Sequence, residues 1–184
     1  MRAFILFTAG TFGIAVPGSA QAAVLTLGGP LSYLCYQSAL AGDSRSSALE
    51  GCTRALDEEA LPTPERAATY VNRGIVLMSG GRLSEADADF DAALKLKESL
   101  PDGWLNKGFL RLRSGNGREA LPLIQKGIDE GASNRALAIF ARGVAHEQMG
   151  EFGEAYADLR NAQRLAPGWS MPTEYLASYR VKQR

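Results

Sequence analysis

Small and apolar positions recur along this chain with a long period. The stretch "NRGIVLMSGGRLSEADADFDAAL" at 72–94 returns as "NKGFLRLRSGNGREALPLIQKGI" at 106–128 and as "ARGVAHEQMGEFGEAYADLRNAQ" at 141–163. Aligned on Gly74, Gly108 and Gly143, the copies are spaced by 34 and 35 residues. A period of this size predicts a solenoid of helix-turn-helix units. Each copy carries a second small residue, Ala86, Ala120 or Ala155, preceded by Glu85, Glu119 or Glu154. Between the two landmarks lies a glycine turn: Gly80-Gly81, Gly115-Asn116-Gly117, and Gly150 with Gly153. Glycine there supplies the left-handed conformation that ends a helix, and the glycine and alanine pair lets two antiparallel helices approach closely.

Further positions recur in register. Tyr70, Trp104 and Ile139 precede the first glycine by four residues, and Phe90, Ile124 and Leu159 supply a large apolar residue. Ala93, Gly127 and Ala162 supply a second small one, and Pro167 closes the last copy. Over 67–169 the chain resembles the tetratricopeptide repeat family. The resemblance implies an all-α, right-handed superhelical solenoid of antiparallel helix pairs, with repeats at 67–100, 101–135 and 136–169. Residues 31–66 resemble a divergent first repeat, with Ala48, Cys52 and Ala55 in the places of Ala86, Phe90 and Ala93. Here Tyr36 stands near the expected glycine and Ser47 replaces the recurring Glu. Cys35 falls at or beside the close-contact position of the first helix and Cys52 on the facing helix, so a disulfide is expected to staple this hairpin. In "LPTPE" at 61–65, Thr63 is expected to cap the next helix with Pro64 in its first turn. After Pro167, the stripe Tyr175, Leu176 and Tyr179 predicts a capping helix within 170–184, since a solenoid must cover its last apolar face.

The chain ends and the charge balance narrow the function classes. Residues 1–22 place Arg2 before an apolar run from Ala3 to Val16 and finish Ala20-Gln21-Ala22, the layout of a cleaved secretory signal peptide. The run is shorter than the roughly 20 residues that span a bilayer. A periplasmic or secreted protein is therefore expected, and an even cysteine count in such a compartment favours the disulfide over two buried thiols. Twenty Lys and Arg balance twenty Asp and Glu, so there is no basic excess to attract nucleic acid or an anionic membrane surface.

The charged positions read as structure. Arg73 aligns with Arg142, and Asp89 with Asp158, which predicts a salt bridge within each of those hairpins. The middle copy has Lys107 and Leu123 instead, an arrangement expected to leave the lysine to solvent. Pro122 falls just inside a helix, where it removes a hydrogen bond. Asp87, Asp89 and Asp91 alternate along one helix and read as a solvated face. No catalytic set is assembled. "GNGREA" at 115–120 fits a dinucleotide-type string, but no strand precedes it. "HEQMG" at 146–150 opens like a zinc protease helix, yet Gly150 stands where the second His is required, and His146 is the single histidine. No metal and no cofactor are expected.

In tetratricopeptide proteins the first helices of successive repeats line a concave groove that binds proteins or peptides. Carried over by position, the resemblance places Val71, Ile75 and Met78, then Leu105, Phe109 and Leu112, then Phe140 and Val144, with Glu147, along such a groove. Asn72 and Asn106 recur where peptide-clamping members use asparagine to hold a ligand backbone, a role suited to a group that both donates and accepts. Clamps for acidic C-terminal peptides also need basic residues where this chain has Asp102, Leu137 and Ala141, so an apolar or amphipathic peptide is the better fit. Core packing between neighbouring helices is the competing role for the apolar members. The expected function is a non-catalytic binding scaffold of the cell envelope. The alternatives are a self-associating module, whose open ends pair copies, and an accessory subunit of an envelope enzyme.

Overall fold

A computed structural model describes residues 29–179 and gives nine α-helices among them. They pair as hairpins: α1 (Pro30–Leu40) with α2 (Ser46–Glu58), α3 (Thr63–Ser79) with α4 (Leu83–Leu96), α5 (Pro101–Arg113) with α6 (Gly117–Asp129), and α7 (Arg135–Met149) with α8 (Phe152–Leu165). A shorter helix, α9 (Ser170–Ser178), packs against α8. The expected all-α solenoid with a capping helix is what the chain forms. The expected leader at 1–22 lies outside the described residues. Among those residues, no helix is long and apolar enough to cross a membrane.

The hairpins close where small meets large. Phe90, Ile124 and Leu159 are wholly buried, and each lies against the glycine of the facing helix, Gly74, Gly108 or Gly143. A side chain at Gly74 would collide with the Phe90 ring, so these glycines are required by close approach. Gly81, Gly115 and Gly150 take φ of 78°, 73° and 81°, the left-handed conformation that reverses the chain.

The first hairpin reaches the same geometry by other means. Cys35 and Cys52 form a disulfide with their Cα atoms 4.7 Å apart, and both are buried. Cys52 occupies the place of Phe90, so Cys35, rather than Tyr36, stands where the glycine stands elsewhere. The covalent bond replaces the contact of glycine with a large apolar side chain. Glu59 adds a second tie: its carboxylate accepts from Leu31 N at 2.7 Å and Ser32 N at 3.0 Å, satisfying open donors at the start of α1. Arg66 then donates to the Leu56 carbonyl at 2.7 Å, near the end of α2. Thr63 departs from expectation. Pro62 holds the cap position and Thr63 is already the first helical residue, because the fixed φ of Pro62 and Pro64 sets the entry without a side-chain cap.

Successive hairpins are stitched from behind. Arg113 of α5 donates to the Met78 carbonyl at 2.7 Å, and Gln148 of α7 to the Leu112 carbonyl at 3.0 Å. Each bond adds a second donor to a carbonyl in the last turn of the preceding hairpin's first helix, beside the backbone N–H of Gly81 or Gly115. Pro122 sits inside α6, where it is exposed and the helix is continuous.

Candidate partner-binding groove

The recurring charges form a lattice across the stack. Arg73 holds Asp89 through two bonds of 2.8 Å and also reaches Thr53 on α2 at 3.3 Å. Arg142 repeats this with Asp158, again through two bonds of 2.8 Å, and reaches Gln125 on α6 at 2.8 Å. Each arginine therefore joins its own hairpin and ties it to the one before. Lys107 does not turn to solvent. With Leu123 in the carboxylate's place, it bonds Asp91 of the preceding hairpin and lies 3.5 Å from Asp87. Arg111 binds the other Asp87 oxygen at 2.8 Å. The aspartates of α4 are thus divided between two hairpins: Asp89 faces inward, and Asp87 and Asp91, one turn apart, face α5.

His146 Nδ1 lies 2.6 Å from Glu151 and its Nε2 4.0 Å from Asp158. An open crevice of about 560 Å³ between α6, α7 and α8 is lined by Leu121, Gln125, Arg142 and His146, whose polar groups are already engaged with one another or with neighbours. Among the described residues, no three His, Cys, Asp or Glu side chains are grouped to hold a metal ion.

The residues expected in the groove divide by depth. Val71 and Leu105 are buried, 4% and 3% exposed, in the joints between successive hairpins. Ile75, Met78, Phe109 and Leu112 are half-buried: one side of each packs on these joints and the other remains accessible. Asn72 is half-buried, and Asn106 donates to the Asp102 carbonyl of its own helix at 2.8 Å. Burial raises the Asp102 carboxyl above its ordinary value. Phe140 and Val144 lie under the chain's own C-terminal segment. The Phe140 ring is 5.0 Å from Trp169 and 5.0 Å from Tyr175, and Met171 and Leu176 complete the cover. The sequence pattern located α9, but its contact with Phe140 follows from the bend at 166–169 that brings Trp169 onto α7.

Glu147, the next position along α7, faces Tyr179 at the end of α9. Burial raises both groups, and the Glu147 charge adds to the effect on the phenol, pushing it up to about 12. An unfolded tyrosine ionises near pH 10, so this contribution to α9 docking is full below about pH 10 and is lost as the pH rises towards 12. A spectrophotometric titration should show the Tyr179 phenol ionising late, together with loss of near-ultraviolet dichroism from the α9 aromatics. Tyr179→Phe should remove that ionisation and leave the burial-raised Tyr175.

The tetratricopeptide repeat model matches residues 67–100 and 136–168. Among solved structures, a MamA RS-1 double mutant shares 22% identity and a TM-score of 0.64, covering 82% of this chain and 83% of that one. MamA from residue 41 to its end, from Desulfovibrio magneticus RS-1, also has 22% identity and a TM-score of 0.64, with 82% and 84% covered. The Arabidopsis OM64 TPR domain has 21% identity and a TM-score of 0.56, covering 64% of this chain and 99% of that domain. No curated protein matches this chain. At these identities the likeness is one of fold.

Proposed function

From the premise that this chain is a tetratricopeptide repeat protein, we propose that it is a non-catalytic scaffold outside the cytoplasm that holds an apolar or amphipathic peptide segment of a partner protein. The fold is one that serves protein interaction in general. The observation that carries the finer reading is the row Ile75, Met78, Phe109 and Leu112 on adjacent first helices, half-buried with apolar flanks accessible. On α7 the place of Ile75 and Phe109 is held by Val144, which lies in the cluster formed with the apolar residues of α9. The Cys35–Cys52 disulfide supports an oxidising compartment.

Selecting a displayed library of random peptides against the full chain tests this reading. Enriched peptides should carry apolar residues at helical spacing and should bind at least tenfold more weakly to the variant Met78→Lys with Phe109→Lys. Lysine can lay its stem along apolar surface while its charge reaches water, so helicity should survive and is checked by circular dichroism. Peptides that bind both forms equally would exclude the groove, and enrichment of acidic C-termini would contradict the ligand class.

A further inference from the structure

Helix α1 carries no charged residue, and much of it is open to solvent. Pro30, Tyr33, Leu34, Gln37 and Leu40 form one exposed stripe, with Tyr33 at 51%, Leu34 at 57% and Leu40 at 58% exposure. A helix that is apolar nearly all round ordinarily has both faces covered. Its other face already packs inside the molecule, through Ser32, Cys35 and Ala39.

The internal hairpins show what the open stripe is built to meet. With Cys35 matched to Gly74, Gly108 and Gly143, the position of Gln37 is held by Val76, Leu110 and Ala145, each buried against the preceding hairpin. The position of Pro30 is held by Gly103, which abuts Leu94, and by Ala138, which packs with Leu105 and Ile124. Leu34 holds the place of Arg73, Lys107 and Arg142, which reach back to Thr53, Asp91 and Gln125. Leu40 holds the place of Arg113 and Gln148, which bond the preceding helix's carbonyls. The exposed stripe is therefore the solenoid's own stacking face, presented with no hairpin before it among the described residues.

The opposite end is open in the complementary sense. In α4 and α6, the first helical residue and the one four further on face the next hairpin. Leu83 packs in the cluster that includes Leu110, Asp87 pairs with Arg111, Gly117 abuts Ala145, and Leu121 packs with Ala141 and Ala145. On α8 the same positions are Phe152 and Tyr156, 60% and 40% exposed. Helix α9 has 9 residues where α3, α5 and α7 have 17, 13 and 15, so among the described residues it leaves both partly open, and Tyr179 meets Tyr156 at 6.0 Å between ring centres.

We propose that copies of this chain stack head to tail, the α1 stripe of one seated on the Phe152 and Tyr156 end of the next, beside α9, which already holds the first-helix place over Phe140 and Leu159. An interface of this kind joins unlike surfaces and adds copies in series. It does not depend on the groove reading, because neither end includes Met78 or Phe109.

The test is the mass of the full chain in solution, followed by light scattering over a rising concentration series. The wild type should gain mass in whole-protomer steps. Tyr33→Lys with Leu34→Lys, and separately Phe152→Lys, should each stay at protomer mass with unchanged helicity, since all three side chains are more than half exposed. An equimolar mixture of the two variants retains one intact front and one intact rear, and should form a two-protomer species and nothing larger. The variant Met78→Lys with Phe109→Lys should assemble like the wild type. Three results would each overturn the proposal: wild type at protomer mass throughout, as when another segment of the chain covers an end; Phe152→Lys still pairing, as in a symmetric α1 contact; or a mixture that fails to pair.

Discussion

Replacing Cys35 and Cys52 together by alanine is expected to lower the stability of the first hairpin by about 3 kcal/mol, the chain-entropy value for a loop closed over a separation of 17 residues. The loss should be local. In a repeat stack each hairpin is coupled chiefly to its neighbours, and the covalent bond here stands where the other hairpins have glycine packed on a large apolar side chain. Hydrogen exchange should show amides of α1 and α2 exchanging faster, with those of α5 to α8 unchanged. Excess dithiothreitol on the wild type should reproduce the pattern. Equal acceleration in all four hairpins would mean that the stack unfolds as one unit and that the disulfide supports it globally.

Removing one side of the Arg73–Asp89 pair should have an effect of comparable size. The Asp89 side chain is 7% exposed, and Arg73→Met leaves its carboxylate without its bidentate partner while also cutting the bond to Thr53. One-sided loss of a buried pair costs about 3–5 kcal/mol, and the 21% exposure of Arg73 places this case near the lower bound. The double variant Arg73→Met with Asp89→Leu should recover most of the loss, because it leaves no buried charge alone. Urea unfolding of the wild type, both single variants and the double variant gives the coupling energy directly. A double variant as weak as Arg73→Met would show that the two residues matter through packing rather than through charge.

The parts of the fold that could be read from the sequence are those decided within one hairpin. Gly74 with Phe90, Gly108 with Ile124 and Gly143 with Leu159 recur at fixed separation because close approach admits few residue types. Arg73 with Asp89 was visible for the same reason. Lys107 was misread because its partners, Asp87 and Asp91, belong to the hairpin before it, and a comparison of repeats does not say which neighbour a side chain reaches. The candidate groove was blurred by a related ambiguity. Val71 and Ile75 lie one turn apart on the same helix, yet the first is buried in a joint and the second keeps an accessible edge; an apolar letter at either place satisfies both demands. Phe140 and Val144 depended on the path after Pro167, where a short bend rather than a periodic pattern decides what covers them.

The carbonyl stitches give the stack a polarity. Arg66 serves α2, Arg113 serves α3 and Gln148 serves α5, and in every case the donor lies downstream of the helix it completes. Dependence therefore runs one way along the chain. Cutting after α4 removes the Arg113 bond to Met78, and cutting after α6 the Gln148 bond to Leu112, which leaves each carbonyl with the backbone donor of its own turn, Gly81 N or Gly115 N. Removing α1 and α2 takes nothing of this kind from α3, α5 or α7. The hairpins look interchangeable in outline, but α3 and α5 each take a side-chain bond in the last turn from the hairpin that follows.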